Sequence, residues 1–208
     1  MGQSDVRLAE LLAARLCHDL ASPLAAIDNG LELMTDPDFG DAAQAGELVG
    51  ESVRQAVASL NFLRAAFGSA GATLGDPHYL REVAESWLTR RGIALNWNIG
   101  SAGLRPELGR LLLNLLALGG ESLPRGGALT LSAAQAPAAQ RFGLTAEGPH
   151  AGLRPEMQRG LDALTAKSLD PRGAQAFYLR RLAEHLGGTI EAAQETPDRL
   201  ALDLILRG

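Results

Sequence analysis

The first third of the chain carries two runs of apolar residues at helical spacing, and these constrain the fold more than any other feature. The run from 6 to 35 predicts one long helix, with a bend expected at Pro23 inside it. A turn over 35–41 leads into a second helix from about 42 to 67. Steps of 4, 3, 4, 3 and 4 residues separate the apolar positions of this second helix, as is typical of helical bundles. Those positions are Val49, Val53, Ala56, Leu60, Leu63 and Phe67.

A hairpin of two such helices buries too little surface to be stable alone. Helices of about 25 to 30 residues form rods roughly 40 Å long, and each needs a partner behind its apolar stripe. Two hairpins that pack together as a four-helix bundle satisfy this need. We therefore expect residues 1–70 to form a homodimer, unless the remainder of the chain covers the stripe.

Helical and strand patterns mix after a glycine-rich linker at 68–75. Helices are predicted at about 76–91, 105–119, 155–164 and 174–186, and strands at 93–99, 128–135, 141–147, 189–195 and 200–206. The order lacks a strict βαβ rhythm, so we expect an α/β sandwich domain over 76–208. The predicted fold class is α+β: a dimeric helical hairpin followed by this second domain.

Composition excludes several classes of protein. A net charge of -5 and 4% aromatic residues argue against nucleic-acid binding. One cysteine, Cys17, rules out a disulfide framework and a cysteine-based zinc site. The sequence shows neither an apolar run long enough to cross a membrane nor a signal-peptide pattern, so we expect a cytoplasmic protein with no membrane contact.

One of the four histidines, His18, stands in a setting that favours chemistry. At 100° per residue it lies about 160° from Leu20 of the apolar stripe, so it should face solvent. Asp19 follows it, and Ser22 lies one turn later. A neutral imidazole is a good nucleophile at cellular pH, although an ordinary surface histidine is the alternative. The neighbouring residues on this face are small and would let another protein approach: Ala14, Ala21 and Ala25.

Three segments resemble the two-component histidine kinases. The segment around His18 resembles their phosphoacceptor box and reads Cys17-His18-Asp19-Leu20-Ala21-Ser22-Pro23-Leu24. Asn114 and the residues up to 119 resemble the asparagine box, and 177–190 resembles the helix and Gly-Gly-x-Ile strand that close the ATP-binding domain. The resemblance covers nearly the whole chain and implies a hairpin followed by a kinase-like domain.

Three parts of the kinase nucleotide site are missing from that resemblance. The magnesium-binding asparagine falls on Leu118, and the aspartate that contacts adenine falls on Ala146. The Gly-x-Gly loop over the phosphates is reduced to Pro171-Arg172-Gly173, and the ATP lid is essentially absent between 157 and 172. The resemblance therefore implies a degenerate domain that does not bind ATP.

A kinase-like chain that keeps its phosphoacceptor and loses its ATP site is similar to the ChpT-type histidine phosphotransferases of alphaproteobacteria. The segments 15–19, 30–33 and 153–156 also resemble that family. The resemblance implies that His18 accepts phosphate from the receiver domain of a hybrid histidine kinase and passes it to response-regulator receivers. It implies no cofactor or metal of the chain's own, because the receiver supplies magnesium.

Asp19 and Ser22 are the expected helpers of His18 in this chemistry. Asp19 would accept a hydrogen bond from the ring and fix its tautomer, and Ser22 would contact the phosphoryl group or the partner. The alternatives are an ATP-binding divergent kinase or receiver phosphatase, and a non-catalytic dimeric scaffold. The residues expected to contact the receiver are Arg15, Ala21, Ala25, Asn61 and Arg64.

Overall fold

A computed structural model describes residues 3–35, 41–68, 71–136 and 139–207. The chain begins with a hairpin of two long helices, α1 (Gln3–Thr35) and α2 (Ala42–Phe67), as predicted. Helix α1 continues through Pro23. Helix α2 begins where predicted because the side chain of Asp41 caps it, accepting a 2.9 Å hydrogen bond from the backbone N–H of Gln44. Residues 36–40 of the predicted turn, and 69 and 70 of the predicted linker, lie outside the described ranges.

The second part of the chain forms a five-stranded sheet with helices packed on it, which confirms the α+β class. Its strand order is β1-β2-β3-β5-β4, with β1 and β2 parallel and the other neighbours antiparallel. Short 3-10 turns lie at Ala72–Gly75 and Ala166–Ser168. The elements are α3 (Pro77–Thr89), β1 (Ile93–Asn98), α4 (Pro106–Glu121), β2 (Gly127–Ala136), β3 (Ala139–Glu147), α5 (Pro155–Asp162), α6 (Pro171–His185), β4 (Gly188–Thr196) and β5 (Arg199–Arg207).

The hairpin and the second part share one hydrophobic core. Phe62 of α2 is fully buried and stacks on Trp87 of α3, with ring centroids 4.1 Å apart and planes 8° from parallel. Asn114 of α4 donates a 2.9 Å hydrogen bond to the carbonyl of Ala66. These contacts join the end of α2 to α3 and α4. The division at about residue 70 stays a prediction.

A second, smaller core holds the other end of the second part against α1. It consists of Leu11 with Ala166, Leu169, Ala174 and Phe177, which belong to the α5–α6 connection and to α6. The connection is therefore packed on the hairpin, in the region where the sequence predicted that the kinase lid is lost.

An apolar stripe on the outer face of the hairpin is exposed in the single chain. Its large side chains are between 43% and 55% exposed, whereas Leu63 of the predicted seam is buried within the chain. We call this set the outer stripe; it consists of Leu24, Leu31, Met34, Val53, Val57 and Leu60. Within the described ranges, none of the helices combines the length and the apolar character needed to cross a bilayer.

Candidate functional site

His18 stands in the middle of α1, and its side chain is 78% exposed, as the helical geometry predicts. The residues around it on this face are also exposed and small, namely Ala14, Ala21, Ser22 and Ala25. A partner can therefore reach the imidazole along a shallow helix surface. Val49 of α2 lies close to Gly30 of α1. Because the two helices run in opposite directions, a step of 12 residues along each leads to Asn61 on α2 and to His18 on α1, which therefore lie at a similar height along the hairpin. Asn61 and Arg64 are exposed.

Asp19 is held firmly beside the exposed histidine. Its side chain is only 9% exposed and accepts hydrogen bonds from Nε of Arg15 at 3.1 Å to Oδ1 and 3.0 Å to Oδ2. Oδ1 also lies 3.5 Å from Nδ1 of His18, at the long limit of a hydrogen bond. The carboxylate is thus fixed on its far side by Arg15 and faces the ring on its near side.

Arg15, expected from the sequence to contact a receiver, is instead buried. Its side chain is 8% exposed and forms an ion pair with Glu121, the last residue of α4, in addition to the pair with Asp19. A buried guanidinium requires nearby carboxylates, and these two supply them, while Nη1 is buried without a hydrogen-bond partner. Its place in the site is therefore behind Asp19 and not on the docking surface.

A cleft of about 670 Å³ opens beside His18, between α1 and the second part of the chain. It is lined by the ends of α3 and α4 and by the starts of α5 and α6. Four guanidinium groups and four carboxylates contribute to its walls, so the charges are balanced. These are Arg15, Arg91, Arg154 and Arg172, with Asp19, Glu121, Glu156 and Asp170.

Arg91 is a wall residue that sequence reasoning missed. Its guanidinium carbon lies 4.1 Å from the centroid of the Trp87 ring, in a cation–π arrangement. Although part of its surface is accessible, burial lowers the pKa of Arg91, and Asp19 opposes that shift. The group remains cationic at neutral pH. The signal in the sequence for this contact is the spacing of four residues between Trp87 near the end of α3 and Arg91 in the turn just beyond it.

The positions that correspond to the kinase nucleotide site are occupied by the core or by a helix start. Leu118 is 1% exposed and Ala146 fully buried, both within the main hydrophobic core. The remnant of the phosphate loop, residues 171–173, forms the first turn of α6, where Asp170 accepts a 2.8 Å hydrogen bond from the backbone N–H of Gly173. In the described parts of the chain, no group of three His, Cys, Asp or Glu side chains could hold a metal ion.

An exposed histidine on a helical hairpin, followed by a kinase-like α/β domain, defines a class of two-component phosphotransfer proteins. A family model described as the histidine phosphotransferase C-terminal domain matches residues 77–198. The chain is 33% identical over 190 residues to the protein phosphotransferase ChpT of Brucella abortus (strain 2308), which covers 88% of each chain. The chain belongs to the ChpT-type histidine phosphotransferase family.

Solved structures agree with this assignment. A structure described as a bacterial phosphotransferase matches with a TM-score of 0.84 and 30% identity, over 98% of this chain and 97% of that one. The Acinetobacter baumannii histidine kinase AdeS matches with a TM-score of 0.51 and 14% identity, over 91% of this chain and 97% of that one. The kinase likeness shows a shared fold.

Proposed function

We propose that this histidine phosphotransferase carries the phosphoryl group on Nε2 of His18. The observation that carries the proposal is the orientation of the ring: Nδ1 faces the fixed carboxylate of Asp19, on an otherwise exposed side chain. A ring that holds its proton on Nδ1 presents the lone pair of Nε2 for bonding. The donor is a receiver domain that bears an aspartyl phosphate.

The transfer is an in-line displacement at phosphorus. The lone pair of Nε2 forms the new P–N bond while the P–O bond to the receiver aspartate breaks, and that aspartate leaves as a carboxylate. The ring becomes positively charged and keeps its proton on Nδ1. Asp19 stabilises that charge, and its 3.5 Å contact shortens as the charge develops. The acceptor aspartate reverses these steps.

The chain needs no nucleotide or metal of its own in this scheme. The receiver supplies magnesium, which balances the phosphoryl charge, and this chain supplies a positioned nucleophile. The buried state of Leu118 and Ala146 supports the proposal, because neither presents a polar atom to a nucleotide.

The partners are the receiver domain of a hybrid histidine kinase and the receiver domains of response regulators. The exposed residues around His18 form the docking surface, with Ser22 close enough along the helix to contact the phosphoryl group or the receiver. Ala21, Ala25, Asn61 and Arg64 are the remaining members. The phosphorelay would operate in the cytoplasm, where two-component receivers act.

The proposed functional unit is a homodimer in which the outer stripes of two hairpins pack as a four-helix bundle. Six large apolar side chains that are about half exposed support this arrangement, because large apolar patches mark interaction surfaces. The stripe runs along the hairpin and leaves His18 on a different, solvent-facing side.

Radiolabel transfer from a phosphorylated receiver tests the assignment of His18. We expect the wild-type protein to accept a label that is stable in base and lost in acid, as for a phosphoramidate. The His18→Ala variant should fold and accept no label, and Asp19→Asn should accept it more slowly. A matched control is His185→Ala, because His185 is also exposed but lies on α6. Label on the His18→Ala protein, or an acid-stable label, would refute the assignment.

A further inference from the structure

We propose that Glu121 is a positioning residue for phosphotransfer, acting on His18 through Arg15 and Asp19. The kinetic part of this inference rests on the proposed role of His18. Glu121 is about 100 residues away in the sequence, and no motif around His18 points to it. The tertiary structure brings it behind the phosphoacceptor turn.

Three charged side chains form a continuous chain from α4 to the histidine. Glu121 pairs with a terminal nitrogen of Arg15, whose Nε donates to both oxygens of Asp19. One of those oxygens faces Nδ1 of His18. The three charged side chains are 7% to 9% exposed, whereas the imidazole at the end is 78% exposed. The arrangement thus begins inside the protein and ends at its surface.

Buried charges are stable only when they are paired, and these three side chains pair with one another. Glu121 closes α4, where the helix carbonyls make a carboxylate unfavourable, so it depends on a cation. Arg15 has a long, flexible side chain, and one carboxylate would leave its guanidinium free to rotate. The carboxylate of Glu121 lies beside the terminal nitrogen as an ion pair without a hydrogen bond from Oε1, and Nε donates to Asp19. The pair on the far side therefore orients the carboxylate that faces the histidine.

The hydrogen bonds and ion pairs of Arg15 and Asp19 do not involve the surrounding charges, although Arg91 interacts with both through space: Asp19 raises the pKa of Arg91 and Arg15 lowers it. The groups that line the same cleft are Arg91 beyond α3, Arg154 and Glu156 at the start of α5, and Asp170 and Arg172 at the start of α6. The hydrogen bonds that connect Arg15 with Asp19 and the ion pair with Glu121 involve none of them. Loss of the Glu121 charge should therefore change the position of the Arg15 side chain first and, through it, the position of Asp19.

A double-mutant cycle tests whether Glu121 acts through Asp19. Glu121→Gln keeps the shape and removes the charge, and we expect it to slow transfer from a phosphorylated receiver by about tenfold, by analogy with the outer partners of metal-binding histidines, whose loss costs about 10- to 100-fold. In the Asp19→Asn background, the same change should have almost no further effect, because the link is already broken. Glu107→Gln, which alters an exposed carboxylate on the same helix, should leave the rate unchanged.

The proposal is overturned if the effects of Glu121→Gln and Asp19→Asn on the transfer rate are additive. Equal slowing by Glu121→Gln in both backgrounds would mean that Glu121 acts by general stability or by another route. If Glu121→Gln does not fold, Glu121→Asp serves instead. It keeps the negative charge on a shorter side chain, and we expect its transfer rate to fall by less than tenfold. Glu121→Asp that transfers as slowly as Asp19→Asn, while folded, would also overturn the inference.

A spectroscopic measurement separates this inference from the proposed function. Nitrogen NMR of the His18 ring in the unphosphorylated protein reports which ring nitrogen carries the proton. We expect Nδ1–H to predominate in the wild type and to decrease in both Glu121→Gln and Asp19→Asn, with no change in Glu107→Gln. An unchanged tautomer in Glu121→Gln overturns the inference, whatever the transfer assay gives. Failure of wild-type His18 to accept label would refute the proposed function and leave this measurement valid.

Discussion

Leu60 provides the sharpest test of the proposed dimer, because half of its surface is exposed within the outer stripe. Complete burial of a leucine contributes about 1.5–3 kcal/mol, so covering the 52% that is exposed contributes about 1 kcal/mol. Both copies contribute in a symmetric dimer, so Leu60→Ala should weaken dimerisation by about 2 kcal/mol, or roughly 30-fold in Kd. Leu60→Glu would place two carboxylates in an apolar interface and should give a monomer at micromolar concentration.

Sedimentation velocity over a concentration series measures these changes. Leu164→Glu is the matched control, since Leu164 is 91% exposed but lies between α5 and α6, away from the stripe. Circular dichroism should show that all variants retain their helices. A wild-type monomer at micromolar concentration would contradict the reasoning. So would a Leu60→Glu dimer as stable as the wild type, or equal dissociation by Leu164→Glu.

Three further predictions concern the buried charges, the close packing of α4 and the lost nucleotide site. Arg15→Met should lower the free energy of unfolding in urea by about 3–5 kcal/mol, because Asp19 and Glu121 would stay buried without their cation. A loss below about 1 kcal/mol would show that the two carboxylates can move into solvent when the cation is removed. Gly109→Ala should cost about 1–3 kcal/mol in the same assay, since its Cβ would lie 1.9 Å from the carbonyl oxygen of Leu74; an unchanged midpoint would mean that this contact relaxes freely. Calorimetry with Mg-ATP should show no binding at micromolar concentration, because two of the three corresponding positions are core residues, and a micromolar Kd would restore the kinase alternative.

Much of the secondary structure could be predicted because its signals are local. Helix α2 was expected over 42–67 and is found there, since Asp41 caps one end and the apolar steps define the face. Strand β5 was expected from the alternation of Leu200, Leu202, Leu204 and Leu206, all of which are buried. These patterns depend on neighbours within a few residues, so they do not require knowledge of the fold.

The apolar positions of α2 show that a local pattern does not predict which residues of a helix are buried. The 4-3-4-3-4 spacing treats Leu60 and Leu63 alike, yet Leu63 is buried within the chain and Leu60 is exposed on the outer stripe. Other apolar residues of α2, such as Phe62 and Ala66, belong to the core that it shares with α3 and α4. Spacing gives the helical period, but the packing of the other elements against α2 decides which side is covered.

The sequence by itself determined the hairpin, the mixed second domain and the exposed histidine, because helical periodicity and one short motif suffice for these. The tertiary structure alone decided what stands behind that histidine. Arg15 reads as a surface residue on the helix, and Glu121 lies far along the chain at the end of α4. Folding brings the two side chains together and buries them, so Arg15 pairs with carboxylates on two elements and has little exposed surface. The pair with Asp19 follows from the four-residue spacing on α1, whereas the pair with Glu121 depends on through-space distance and burial, which no spacing in the chain encodes.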